Sequence, residues 1–312
     1  MPRDSKHFRI QQLADGVYAA IGVDGGAAIC NAGIVDLGDY TVVFDSFLTQ
    51  QAAMDLRATA EHLTGSHVEY VINSHYHNDH IRGNQVFTHA KIVATSKTRD
   101  WIATKGQEDI RLDSEDAPKE LQALEMGQDA AMQHEIATWT GYYRGIMESL
   151  PTLELKLANL TFDTSMVFHG THRSAEAVTY GGGHTESDAI LYLPDERIAF
   201  LGDLLFVKTH PWLARGDPAE LVRILEKVET FGLKIVVPGH GPVGTAKDFA
   251  VMRQYVTDLE RIAAEVVKAG GSEEEAAQRE IPSPFETWRF RCFFEPNMRF
   301  LYQRLSGANV KP

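Results

Sequence analysis

Residues 74–83 read SHYHNDHIRG and follow, one residue on, the apolar run HVEYVI at 67–72. His75, His77, Asp79 and His80 crowd into six residues at the end of an expected buried strand. In an extended segment residues i and i+2 point the same way, so His75 and His77 aim two imidazoles at one point. Asp79 and His80 come as the chain turns and face a neighbouring point. Four such groups on one short loop are costly to bury without a cation. Divalent metals of the zinc type accept imidazole and carboxylate together.

Further ligands must then come from elsewhere, and three places have the right form. His184 stands in TYGGGHTESD (179–188), Asp203 in FLGDLLF (200–206) and His240 in IVVPGHGP (235–242). Each is a polar residue just past an expected strand, and α/β sheets build their sites at that edge. Glycines beside these residues let backbone come close to a metal.

The surrounding chain reads as α/β. GVYAAIG (16–22) and the β-branched run at 27–47 predict strands, with Gly38 and Asp39 as a turn between two of them. Ala53, Leu56, Ala60 and Leu63 follow helical spacing and Gly65 can end that helix. AKIVAT (90–95) is the next strand. Residues 107–150 lack strand signal, and Met132, Ile136, Trp139, Tyr143, Ile146 and Leu150 form a stripe. This predicts an insertion of one or two helices broken near Gly127. An apolar stripe must be buried. It packs either over the candidate site, as a cap, or on a second copy in a homo-oligomer.

The second half returns to mixed structure. Strands are expected around 152–168 and 177–181, and a hairpin around Pro194–Arg197. Asp217–Pro218 opens a helix. Another runs through Met252, Tyr255, Leu259, Ile262 and Val266, and Ser272 with Glu275 forms a capping box.

Composition narrows the function. The 312 residues carry a formal net charge of −13 and no basic stripe, which argues against long nucleic acid or an anionic membrane surface as partner. No run is long enough for a membrane span, and the start lacks a signal-type apolar segment, so a cytoplasmic protein acting on a small molecule is expected. The two cysteines, Cys30 and Cys292, are too few for a disulfide framework.

His75-x-His77-x-Asp79-His80, followed in order by His184, Asp203 and His240, resembles the metallo-β-lactamase-fold hydrolase superfamily over the whole chain, 1–312. The resemblance implies a single-domain, four-layer αββα sandwich with a dinuclear site between two sheets. It implies that His75, His77 and His184 hold one metal, that Asp79, His80 and His240 hold the other, and that Asp203 bridges them. Two divalent ions, zinc first and manganese or iron next, are the expected cofactors. Such ions about 3.5–4 Å apart share a hydroxide whose pKa falls from 15.7 toward ~7. That hydroxide is expected to attack an ester, thioester, lactone or amide carbonyl, with Asp79 as the proton-handling group.

The chain departs from parts of the family. Asp203 stands where the best-known zinc β-lactamases carry cysteine, which looks more like glyoxalase II, lactonases and arylsulfatase-type members. VFDSF (43–47) stands where Asp-Thr-Gly is common, with Asp45 expected to steer the histidine loop. Flavodiiron proteins have glutamate where His77 sits. Ribonuclease Z shares the motif, but the acidic charge argues against a tRNA substrate. After Asp203, Lys208 and His210 are candidate contacts for a substrate carboxylate or oxyanion, and Trp212 a candidate pocket wall. The alternative within the family is a mononuclear iron dioxygenase similar to the persulfide dioxygenases. A binding protein that kept the fold without catalysis is the third reading.

Overall fold

The computed structural model describes residues 5–126 and 133–307. Seven strands form the first sheet in sequence order: β1 (Phe8–Ala14), β2 (Val17–Gly22), β3 (Ala32–Asp36), β4 (Thr41–Phe44), β5 (Val68–Ile72), β6 (Lys91–Thr95) and β7 (Leu160–Phe162). The first four are antiparallel, and β4 through β7 are parallel. The second sheet holds β8 (Ser165–His169), β9 (Ser174–Thr179), β10 (Ala189–Leu193), β11 (Ile198–Phe200) and β12 (Ile235–Val237). It is antiparallel except for the parallel pair β11–β12.

Alternating side chains make this a four-layer sandwich. On β4, Val42 and Phe44 face the second sheet and meet Leu191, Phe200 and Val237 there. Val43, between them, faces the other way onto Ala53, Leu56 and Ala60 of α1 (Gln50–Thr64). A period of two in the strand therefore fills two cores at once. On the far side, Ile190, Ala199 and Val236 pack beneath α5 (Pro218–Glu229) and α6 (Lys247–Lys268), through Leu221, Leu225, Met252 and Leu259. The αββα fold expected from the motif is the one observed.

Local signals set the helix ends. Thr49 Oγ1 accepts the Ala52 N–H at 3.3 Å, and Gly65 takes the left-handed φ of 71° that closes α1. Asp217 caps α5 with Pro218 in its first turn, and the Ser272–Glu275 capping box opens α7 (Glu273–Ala277). Between β5 and β6 lies the one-turn α2 (Asn78–Ile81).

The helical insertion starts earlier than the sequence suggested. α3 (Ser96–Met126) leaves β6 directly, because Thr95 Oγ1 accepts the Thr98 N–H at 3.1 Å and begins the first turn. α4 (Gln133–Ser149) follows. The expected break near Gly127 and the stripe residue Met132 lie outside the described residues. A last helix, α8 (Phe294–Ser306), closes the chain over α6 and α7. No helix among the described residues is long and apolar enough to cross a membrane.

Candidate metal centre

Both sheets contribute ligands from loops that leave their strands. β5 delivers His75 and His77, and α2 carries Asp79 and His80. The loop after β9 carries His184, the turn after β11 carries Asp203, and the loop after β12 carries His240. Six of the side chains converge in two overlapping groups, His75–His77–His184–Asp203 and His80–Asp203–His240, and Asp79 joins His80 and Cys30 in a third. Asp203 belongs to the first two. Its Oδ2 lies 3.2 Å from His184 Nε2 and 3.9 Å from His75 Nε2. Its Oδ1 lies 3.2 Å from His80 Nε2 and 3.4 Å from His240 Nε2. Asp79 Oδ2 adds to the second group, 3.3 Å from His240 Nε2 and 3.6 Å from His80 Nε2.

The groups behind the histidines decide which nitrogens face the centre. Asp45 is fully buried and accepts three donors: the Ser74 N–H at 2.7 Å, the Ser74 hydroxyl at 2.8 Å and His80 Nδ1 at 2.7 Å. With its proton committed to Asp45, the Ser74 hydroxyl accepts from His75 Nδ1 at 2.9 Å. Both rings thus carry Nδ1–H and turn the Nε2 lone pair inward. His75 Nε2, His80 Nε2 and Asp203 Oδ1 are buried with no hydrogen-bond partner. Lone pairs facing lone pairs in a dry site need a shared cation. The donor set, imidazole and carboxylate, fits divalent metal.

Proton affinities split the same way. Burial, then His80 and its neighbouring rings, hold His75 well below the ordinary imidazole range. Burial, then His184, do so for His77. Burial works against the charged form of His80 too, but the carboxylates of Asp203, Asp79 and Asp45 hold it well above. For Asp203, burial is outweighed by His240, His80 and His184, which hold the carboxyl well below its usual range. The carboxylate is held ready to bind a cation.

The backbone is fitted closely to this cluster. A Cβ on Gly239 would sit 1.9 Å from Asp203 Oδ1, so only glycine lets the His240 loop pass the bridging carboxylate. Asn31, just before β3, donates to the carbonyls of Pro238 and Gly241 at 2.9 Å each and ties that loop to the first sheet. Cys30 is buried and unpaired, and its thiol donates to the Asp79 carbonyl at 2.9 Å. Burial pushes this thiol up to about 12, so it stays protonated. Asp188 accepts the N–H groups of Gly183, His184 and Thr185, which shapes the turn that presents His184.

The insertion grips the ligand loop. Asn78, between two candidate ligands, donates to Asp113 of α3 at 3.1 Å and to the Tyr142 hydroxyl of α4 at 2.8 Å. Buried Arg82 pairs with Asp109 at 3.1 Å and with Asp113. Trp139 of α4 packs on Phe290 and Phe293, at ring separations of 5.0 and 5.3 Å, and Phe290 meets His240 at 5.4 Å. Sequence reading passed over Phe290, although FETWRFRCFF (285–294) is the most aromatic stretch of the chain's end.

The three candidate substrate residues are placed differently. Lys208 is exposed, with a φ of 53°. Trp212 is half-buried and packs on Phe293 at 5.2 Å. His210 is turned into the core, where it bonds the Tyr255 hydroxyl at 2.8 Å and packs on Trp288 and Phe294. Its ring has no open side for a substrate, because the His-Pro-Trp loop folds over α6.

A family model described as the metallo-beta-lactamase superfamily matches residues 25–240. Among solved structures, the metallo-beta-lactamase from Pontibacter korlensis superposes with a TM-score of 0.60 at 16% identity, covering 80% of this chain and 99% of that one. The metallo beta lactamase from Hirschia baltica superposes with a TM-score of 0.58 at 16% identity, covering 81% and 98%. At that identity the likeness is one of fold. No curated protein matches the sequence.

Proposed function

Because this chain belongs to the metallo-beta-lactamase superfamily, we propose that it is a hydrolase of small-molecule esters, thioesters, lactones or amides that works with two divalent metal ions. The observation that carries this reading is the division of Asp203, one oxygen toward His75 and His184 and the other toward His80 and His240. His75, His77 and His184 would hold one ion, and Asp79, His80 and His240 the other. Ions so held supply an acidified water as nucleophile at neutral pH and an electrophile for the carbonyl.

The chain's own groups do the rest. Asp79 stands at the rim of the cluster and is suited to take the proton released as the nucleophile adds, then pass it to the leaving group. Asp45 and Ser74 keep the rings in the tautomer that binds. Phe206, stacked on His240 at 5.2 Å, and Phe290 exclude water from one side and strengthen the field at the reacting carbonyl.

The test is metal content, followed by a hydrolysis screen over p-nitrophenyl esters, thioesters, lactones and a chromogenic β-lactam. The expected result is two metals per chain, activity lost to strong chelators and activity restored by zinc or manganese. One iron per chain with oxygen consumption would replace this reading with the dioxygenase one. Full metal loading without turnover of any substrate would favour a binding role.

A further inference from the structure

Beside the metal centre lies a cavity of about 600 Å³, walled by α3, the ligand loop, the 214–216 loop and α8. Of the seven candidate ligands, only His77 is more than slightly exposed. Tyr76, next to His77, lines the cavity and stacks on Trp101 with 3.8 Å between ring centroids. The opposite wall belongs to the same neighbourhood. Gly216 lies so close to the ligand turn that a Cβ would be 2.2 Å from the Gly183 carbonyl and 2.8 Å from that of His184. Arg215, also on this wall, is among the charges that bear on His77.

Three of the six charged residues lining the cavity are committed to ion pairs. Asp109 pairs with Arg82, Glu108 with Arg111, and Arg304 with Asp217. Glu186 is a neighbouring charge that bears on the Tyr76 hydroxyl and has no ion pair among the described residues. Lys105 of α3 and Arg215 face the cavity from different walls, and neither has an ion pair among the described residues. Two cations without an ion pair in a cavity next to the ligand loop are unexpected in a chain of net charge −13, which repels anions at long range. Leu112, Trp101 and Phe300 give the cavity an apolar lining.

We infer that this cavity seats the non-reacting end of the substrate, with Arg215 and Lys105 pairing with a carboxylate and the Tyr76–Trp101 stack covering a short apolar chain. The inference rests on the hydrolase reading and narrows it: the substrate is an acyl compound with a second, anionic group a few bonds from the scissile carbonyl. An arginine fork suits a carboxylate, and the lysine adds a mobile second charge.

The test compares mono-p-nitrophenyl glutarate with neutral p-nitrophenyl pentanoate in wild type, Arg215→Ala and Lys105→Ala. Both side chains are exposed, so both variants are expected to fold. Each substitution should raise KM for the glutarate relative to the pentanoate by roughly fivefold, the size of one partly exposed charge-assisted contact. Equal changes for the two esters, or no change, would overturn the inference. A second arm keeps this separate from the hydrolase reading: binding of free glutarate to metal-free protein, by calorimetry or NMR titration. If no ester is turned over, glutarate binding that weakens in Arg215→Ala still supports the anion site. Absence of binding to wild type, or binding unchanged in the variant, refutes it.

Discussion

Replacing Asp45 by asparagine changes one polar group and should weaken metal binding at His80. The Ser74 backbone N–H, 2.7 Å from Asp45 Oδ1, is fixed by the chain and can only donate. The asparagine oxygen must face it, which puts the amide NH2 where Oδ2 now accepts His80 Nδ1 at 2.7 Å. The Ser74 hydroxyl can reverse its role, but the imidazole can stay bonded only as an acceptor. Its proton then moves to Nε2, the nitrogen facing Asp203 Oδ1 at 3.2 Å. Groups that orient a ligating histidine are worth about 10–100-fold in metal affinity. That corresponds to about 1.4–2.8 kcal/mol, the scale of one charge-assisted hydrogen bond. Zinc titration of metal-free protein against a competing indicator should show two equivalents for wild type, and for Asp45→Asn one tight equivalent with the second weakened by that factor. Two equivalents at unchanged affinity would refute the tautomer argument. Failure of metal-free Asp45→Asn to fold would make Asp45 a residue of the fold rather than of the site.

Three further outcomes are expected. Asp79→Asn should lower kcat by about 100-fold or more, the usual weight of a positioned proton-transfer group, with a small change in Tm; a matching loss of stability would mark Asp79 as structural. Burial, then the charge of Arg291, push His210 from its ordinary 6.5 down to about 4. The unfolded chain therefore takes up the proton first, and stability present above pH 6.5 is lost as pH falls toward 4, by about 3 kcal/mol. In urea unfolding, His210→Phe should lack this contribution, so its stability relative to wild type should improve by that amount between pH 7 and pH 4; a gap independent of pH would show that the ring is not held neutral. Trp139→Ala frees Phe290 beside His240 and should raise KM for bulky esters more than for acetate esters, whereas an unchanged ratio would leave α4 as ordinary packing.

The clustering of the candidate ligands was legible because it is local. Four members share one loop, and the other three follow apolar runs that can only be strands. Caps such as Gly65, Asp217 and the Ser272–Glu275 box were legible for the same reason. What escaped depends on which distant surfaces meet. The start of α3 hides in Thr95, a strand residue that also caps the helix. His210 reads like a substrate contact until α6 is seen to enclose it. Nothing in the spacing of Arg82, Asp109 and Asp113 announces that the insertion holds the ligand loop.

The departure at VFDSF shows the same division. Sequence marks Phe47 as unusual beside the steering aspartate, and the structure gives it a left-handed φ of 70°. That conformation costs about 1–2 kcal/mol for a residue with a Cβ. Full burial of the ring, against Phe8 at 5.4 Å, returns about 1.5–3 kcal/mol, so the aromatic is retained in a position glycine would fill without strain.

The ligands come from both sheets: His75, His77, Asp79 and His80 from the first, His184, Asp203 and His240 from the second. Ions bound at this seam, as proposed, would act as removable rivets between the two halves of the sandwich. Binding them only in the folded state couples conformational stability to free metal by mass action, at about 1.4 kcal/mol for each tenfold rise in concentration above Kd per ion. The melting temperature then becomes a reading of metal supply. A cell depleted of metal would hold this protein inactive and also nearer to unfolding, with its two halves joined only by the inter-sheet core and by contacts such as the Asn31 clamp.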